Sequence, residues 1–413
     1  MKLRKFQTAP LRGIKVFLRV DFNVPIKNGV VKDDTRIRES LHTIVDLIER
    51  GAHVIIASHL GRPDGQRDLK FTMKPIAPVV QELINEQLKL KGHPPIEVVF
   101  FEDCIGYKVL FALNQLDSSK VVLLENTRFH REEERNQRIF AMGLAALANV
   151  YVNDAFGSCH RAHASTEGIA HYRPGYAGYL VQKEVEALSR VIDEPARPFH
   201  VVLGGAKISG KIDVITRMLD LADSVFIGGA MAFTFAKALG LETGKSLVEE
   251  DRVTMARMII ENANQLGKTV HLPADVLVTD NIESPTRIEP KPFDGIGPDD
   301  IGVDIGYLTI SEYQEELAKA KTIFWNGPMG VFEKKEFAIG TMAIAEAMAK
   351  ADAVTVVGGG ESAMAVKNAG VTDRITHVST GGGASLEFVE GKVLPGLHIL
   401  EEDNQSNPAF HCK

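Results

Sequence analysis

Val16-Phe17-Leu18-Arg19-Val20, followed at once by Asp21-Phe22-Asn23, sets the pattern of the whole chain. A run rich in β-branched and apolar residues reads as a strand. Its lack of strict polar alternation suits a strand covered on both faces of a parallel sheet. The pattern returns at Val54-Ile55-Ile56-Ala57, Val121-Val122-Leu123-Leu124, Val150-Tyr151-Val152, Val201-Val202-Leu203, Val225-Phe226-Ile227, Ile323-Phe324-Trp325 and Val354-Thr355-Val356-Val357. Stretches of helical periodicity lie between these runs, 38–50 and 341–350 among them. Strand–helix alternation predicts an α/β chain built on doubly wound parallel sheets.

So many strands exceed one compact sheet, and the halves differ in composition. Residues 1–185 hold 12 Gly and 14 Arg, whereas the remainder holds 24 Gly and 7 Arg. Val181, Val185, Leu188 and Ile192 recur at helical spacing before Pro195, predicting a helix that joins two domains. Pro, Gly and Asp crowd 281–307, predicting a long loop within the second half. The polar tail 401–413 carries no pattern.

With 413 residues, 45% hydrophobic content and a net charge of −7, the chain has the make-up of a globular protein. The acidic balance argues against a nucleic-acid binder, which carries a basic excess or stripe. Three scattered cysteines, Cys104, Cys159 and Cys412, are too few for a disulfide framework or a CxxC zinc site, and reduced thiols are expected. Residues 1–10 lack the apolar core of a signal peptide, and no apolar run reaches the ~20 residues of a membrane helix. A cytoplasmic protein without a membrane partner is expected.

Ligands of open parallel sheets bind beyond the carboxyl ends of the strands. In the first half those positions hold Asp21 and Asn23, His59 and Arg62, Arg128 and His130, then His160, Arg161 and His163, with Arg36 nearby. Guanidinium groups bind phosphate and carboxylate through paired hydrogen bonds, so four arginines here predict a site for a small multiply charged anion. His160 and His163 are three apart, but no Asp, Glu or Cys set completes a zinc site around them. In the second half glycines follow the strands: Gly204-Gly205-Ala206-Lys207, Gly228-Gly229-Ala230, Gly327-Pro328-Met329-Gly330, Gly358-Gly359-Gly360-Glu361 and Gly381-Gly382-Gly383. Glycine admits a phosphate close to the backbone, and helix starts present free N–H groups, so a nucleotide site is predicted. Residues 205–211 fit G-x-x-x-x-G-K, yet Ile212 follows where a P-loop needs Ser or Thr for Mg²⁺. No G-x-G-x-x-G links a strand to a helix, which disfavours a dehydrogenase. Lys207 and Lys211, four apart at a predicted helix start, are suited to face transferring phosphates.

Taken in order, these motifs closely resemble the phosphoglycerate kinase family. The match runs through Arg19-Val20-Asp21-Phe22-Asn23-Val24-Pro25, Ser58-His59-Leu60-Gly61-Arg62-Pro63, Glu125-Asn126-Thr127-Arg128-Phe129 and Asn153-Asp154-Ala155-Phe156. It continues through Gly204-Gly205-Ala206-Lys207, Asn326-Gly327-Pro328-Met329-Gly330-Val331-Phe332-Glu333 and Ser379-Thr380-Gly381-Gly382-Gly383-Ala384. The resemblance implies two Rossmann-like domains, expected at 1–178 and 196–395. A hinge helix is expected at 179–195, with 396–413 packing back on the first domain. It implies a monomer that moves the acyl phosphate of 1,3-bisphosphoglycerate reversibly to MgADP, giving 3-phosphoglycerate and MgATP. By position, Asp21, Phe22, Asn23, Arg36, His59, Leu60, Gly61, Arg62, Arg128 and Arg161 are expected to hold the three-carbon acid. Lys211, Gly302, Glu333, Gly358, Gly359, Gly360 and Glu361 are expected to hold the nucleotide. Arg36, Lys207 and Lys211 are the expected catalytic cations, because such a transfer needs positioning and charge neutralisation rather than a strong base. With the acid and nucleotide on different domains, closure is expected to bring them together and exclude water. The family usually carries Asp in the triple-glycine loop as ligand to the nucleotide's Mg²⁺, and this chain carries Glu361 followed by Ser362. The alternative is a catalytically silent protein that binds a nucleotide or phosphometabolite.

Overall fold

The computed structural model describes residues 1–408, so Cys412 and the last part of the 396–413 segment lie outside the described residues. The chain divides into two compact units, Met1–Glu186 together with the chain from Val393 onward, and Ala187–Lys392. The division falls inside one helix, Tyr179–Ile192.

In the first unit, a six-stranded sheet runs Val98–Phe100, Val121–Leu123, His53–Ala57, Lys15–Val20, Val150–Asp154, Gly175–Ala177 from edge to edge. Every pairing is parallel. Lys15–Val20 is nearly all buried because helices such as Thr35–Glu49 and Ile76–Leu90 pack apolar stripes onto the sheet. That is why the strand sequences are continuously apolar. The chain after Val393 packs on this unit: Gly396 N–H donates to Cys159 O at 3.0 Å and Arg4 N–H to Leu400 O at 2.9 Å. Asn407 exchanges two 3.0 Å bonds with the Gly175 backbone.

Helix Tyr179–Ile192 starts in this unit. Tyr179 N–H donates to Thr43 Oγ1 at 2.9 Å and Leu180 N–H to Asp154 Oδ1 at 2.8 Å, satisfying two donors that a helix start leaves without intrahelical partners. Burial pushes the Asp154 carboxyl up to about 7. Val181, Val185 and Leu188 of the predicted apolar stripe are buried.

The second unit repeats the plan with strands Thr269–His271, Ser224–Ile227, Phe199–Leu203, Thr322–Asn326, Val354–Gly358 and His377–Val378 in parallel order. Two Rossmann-like doubly wound domains are therefore present. One expectation fails: 281–307 is not one long loop. It contains Ile288–Pro292 and Ile301–Ile305, which flank Asp275–Thr279 in a three-stranded antiparallel sheet. Ile288–Pro292 is an edge strand, where Pro290 and Pro292 are tolerated although they read as breakers.

Asp300 organises that sheet. Its carboxylate accepts hydrogen bonds from Lys291 Nζ at 2.7 Å, from Gly297 N–H at 2.6 Å and from Arg287. Burial works against the charge, but these donors bring the carboxyl down from 3.8 to about 2. A depressed carboxyl contributes stability that is complete above 3.8 and lost as pH falls through about 2. Asp300→Asn is therefore expected to cost on the order of 2 kcal/mol at pH 7 and to flatten the loss of stability between pH 4 and 2. Urea unfolding across that range checks this, and parallel wild-type and variant curves would contradict it.

Candidate active site

Lys15–Val20 is the strand about which the strand order of the first sheet reverses, with His53–Ala57 on one side and Val150–Asp154 on the other. The loops leaving such a switch point flank a crevice. Asp21 follows directly, and its carboxylate accepts Arg36 Nη1 at 2.7 Å and Asn23 N–H at 3.2 Å. Asn23 Oδ1 in turn accepts Gly61 N–H at 2.9 Å, and Gly61 O accepts Arg128 Nη1 at 3.0 Å. Phe22 is buried, its N–H donating to Ser58 Oγ at 2.8 Å. Asp21, Phe22, Asn23, Arg36, His59, Leu60, Gly61 and Arg128 thus share one sheet edge. Arg62 and Arg161 are exposed, and Arg161 Nε donates to His160 Nε2 at 3.2 Å.

The electrostatics of this edge are those of an anion site. Burial drives His59 well below its usual range, and burial followed by the charges of Arg128, Arg19 and Arg161 takes His163 down to about 3. Both rings are neutral at pH 7, so the positive charge resides on guanidinium groups. Burial would raise Asp21, but the guanidinium charges of Arg36 and Arg19 and the Asn23 N–H hold its carboxyl below the ordinary value.

Two contributors were not singled out in the sequence. Arg19 is wholly buried, donating to Ser165 Oγ at 2.8 Å and lying 3.2 Å from His59 Nδ1. An arginine inside an apolar strand was the available signal. Glu125 accepts Thr72 Oγ1 at 2.6 Å and the N–H groups of Met73 and Asn126 at 2.7 and 2.8 Å. Asn126 then donates to Leu60 O at 2.7 Å and accepts from Arg128 N–H at 3.1 Å, fixing two loops that carry anion-facing residues.

In the second unit the reversal falls at Phe199–Leu203, between Ser224–Ile227 and Thr322–Asn326. Gly204 N–H donates to Asn326 O at 3.0 Å and Gly205 N–H to Pro328 O at 2.8 Å. A side chain on Gly204 would meet Pro328 O at 2.0 Å, so two post-strand loops touch only because it has none. Beside them opens a cleft of about 220 Å³, lined by Gly205, Ala206, Gly229, Phe233, Gly302, Pro328, Gly330, Glu333 and Glu361 among others. A Cβ added at Gly302 would lie 1.9 Å from Cζ of Phe233, so the glycine lets that ring pack against the strand. Buried Asp304 also lines the cleft, its carboxylate accepting Gly340 N–H at 2.7 Å and Ile305 N–H at 2.9 Å.

Lys211 sits at the start of helix Ile212–Leu221, beneath these loops, and donates to Asn326 O at 2.9 Å and to Asn326 Oδ1. Burial lowers it to about 8, opposed by the charge of Glu361. Gly359 precedes helix Gly360–Asn368 with φ +88, and Asn326 Nδ2 donates to Gly358 O at 2.7 Å. Ser362 Oγ accepts Gly327 N–H at 2.6 Å, tying two glycine loops together. Lys207 does not line the cleft: it is exposed, on the side of Glu249. The second unit therefore offers an apolar cleft rimmed by glycine loops, two helix starts and one desolvated lysine. That combination suits a ligand with a flat apolar part and a phosphate chain.

The family model described as phosphoglycerate kinase matches residues 6–392. The chain is 50% identical over 393 residues to a phosphoglycerate kinase of Dictyoglomus turgidum, covering 95% of this chain and 96% of the relative. It is 48% identical over 398 residues to that of Rippkaea orientalis, covering 95% and 97%. Among solved structures, phosphoglycerate kinase from Coxiella burnetii superposes with a TM-score of 0.86 at 38% identity, covering 96% of this chain and 98% of that one. The enzyme from Pyrococcus horikoshii gives 0.82 at 34% identity with the same coverage.

Proposed function

The chain belongs to the phosphoglycerate kinase family, and on that premise we propose how its own residues divide the reaction. The enzyme transfers a phosphoryl group reversibly between 1,3-bisphosphoglycerate and ADP, producing 3-phosphoglycerate and ATP, as a carboxyl-directed phosphotransferase of glycolysis. The observation that carries the division of labour is that each unit has its own switch-point crevice of opposite character. One is lined by guanidinium groups and neutral imidazoles, the other by glycine loops over a half-buried lysine.

On this reading the first unit binds the three-carbon acid. Arg62, Arg128 and Arg161 pair with its phosphate, while Asp21 and Asn23 accept from or donate to its hydroxyl and carboxylate. His59 acts as a neutral hydrogen-bonding partner, since burial keeps it uncharged. Arg36, half-exposed and held on Asp21, is free to turn its remaining N–H groups toward the group in transfer.

The second unit takes the nucleotide. Gly302 and Glu333 line the part of the cleft suited to the nucleoside, and Lys211 meets the phosphates with the N–H groups around Gly358, Gly359 and Gly360. Phosphate charge beside Lys211 raises its proton affinity back toward that of an ordinary ammonium, so it binds as a cation. Lys207, exposed on the loop that leads to Lys211 and outside the cleft lining, is the candidate for a second neutralising charge. Magnesium enters as part of the nucleotide substrate, and Glu361 on the cleft wall offers it a hard oxygen ligand. Transfer then rests on in-line positioning and on cations at the phosphoryl oxygens, since an acyl phosphate is already an able donor. A monomeric, cytoplasmic enzyme completes this reading. No helix among the described residues is long and apolar enough to cross a membrane.

A steady-state assay with 3-phosphoglycerate and MgATP, coupled to reduction of the acyl phosphate, tests the function. Turnover requiring both substrates and Mg²⁺ is expected. Folded protein that binds both substrates without turnover would instead establish a silent binder.

Arg36→Lys keeps the charge but loses the planar fork, so kcat is expected to fall on the order of 10²–10³-fold. Wild-type kcat in this variant would remove Arg36 from the mechanism.

Glu361→Gln keeps the size and removes the charge. The Mg²⁺ concentration for half-maximal rate is expected to rise and kcat to fall, with 3-phosphoglycerate affinity unchanged; Glu361→Asp is expected to be milder. If Glu361 serves only the helix N-terminus, where an acid contributes about 0.3–1 kcal/mol, stability changes instead. A Mg²⁺ titration overlaying the wild type would then contradict the metal role.

A further inference from the structure

Asp103 and Cys104 lie in the turn between strand Val98–Phe100 and helix Tyr107–Gln115, and His130 follows the short turn Thr127–Phe129. The fold brings one donor atom from each to within 4.8 Å of the other two. We propose that Asp103, Cys104 and His130 form a mononuclear site for a zinc-type divalent transition metal, with its fourth position open to water.

Three features carry this. The donor set is mixed: a thiol, an imidazole and a carboxylate are the groups that bind zinc, and hard cations such as Mg²⁺ do not select sulfur. The donors are also placed in advance. The His130 ring lies 5.1 Å from the Phe140 ring, and its Nε2 is 2.7 Å from Asp103 Oδ1. Asp103 Oδ1 also accepts Cys104 N–H at 2.7 Å, which fixes the carboxylate beside the sulfur. Finally, the sulfur is held inside the protein, since Cys104 is fully buried in the same turn as Asp103.

Zinc–ligand bonds of about 2.0–2.3 Å place tetrahedral donors roughly 3.3–3.8 Å apart. Closing the trio around an ion therefore asks the Asp103–His130 pair to open by about 0.6 Å and the sulfur to approach by up to about an ångström. As the metal–sulfur bond forms, Cys104 releases its proton to water, and His130 presents an unprotonated Nε2 with its proton on Nδ1. Asp103 and His130 keep the approach open, with side chains 44% and 31% exposed. The substrate-facing side chains assigned above supply none of the three donors.

The test titrates reduced, chelator-treated full-length enzyme with Co²⁺ in the absence of nucleotide, and then adds Zn²⁺. One equivalent of Co²⁺ is expected to give a near-ultraviolet thiolate-to-cobalt band that Zn²⁺ abolishes. Cys104→Ser is expected to lose the band and Cys159→Ser to keep it. His130→Asn, altering a part-exposed ring in a variant whose fold is checked by circular dichroism, is expected to weaken binding at least about tenfold. No band in the wild type, a band retained in Cys104→Ser, or unchanged affinity in His130→Asn would each overturn the site.

Discussion

A cation drawn out of water must be given partners, and both crevices of this molecule are arranged around that requirement. Burial lowers the proton affinity of Lys211 and Arg128. The protein answers with oxygen atoms at hydrogen-bonding distance: Asn326 for Lys211, Gly61 O for Arg128, Asp21 for Arg36 and Ser165 for Arg19. These bonds hold the cations in place at the ends of strands. An added phosphate or carboxylate would meet donors already held in place.

Topology decides where those cations stand. In each sheet the strand order turns about one strand, Lys15–Val20 or Phe199–Leu203, and the loops leaving the turn diverge enough to admit a ligand. One unit fills its loops with arginine and buried histidine, the other with glycine. Guanidinium groups suit a small substrate grasped on several sides. Glycine loops suit a longer one laid along backbone N–H groups. Helix Tyr179–Ile192 runs out of the first unit, its start fastened by Thr43 and by Asp154 at the end of Val150–Asp154, a strand of the same sheet edge.

Much of this was legible because it is written in local pattern. Continuous apolar runs marked the parallel strands, and the residues following those runs lie on the loops at the two switch points. Three things escaped, each for a physical reason. The antiparallel sheet around Asp275–Thr279 was hidden because an edge strand can hold Pro290 and Pro292 and bury little. The work of Arg19 and Glu125 was hidden because both act on neighbouring loops rather than on a ligand. The placement of Lys207 apart from the cleft was hidden because a spacing of four implies one helix face. Here Lys207 precedes helix Ile212–Leu221 and leaves Lys211 alone beneath the loops. Asp103, Cys104 and His130 show the same limit, since no spacing motif joins a turn to a histidine so far along the chain.

The central claim is that acid and nucleotide are bound by different units through the residues named. Backbone amide chemical-shift mapping with each substrate alone tests this directly. 3-Phosphoglycerate is expected to shift amides at Asp21, Asn23, Gly61 and Arg128, and MgADP those at Gly205, Lys211, Gly302 and Glu361. First-site shifts from MgADP alone, or second-site shifts from 3-phosphoglycerate alone, would contradict the account.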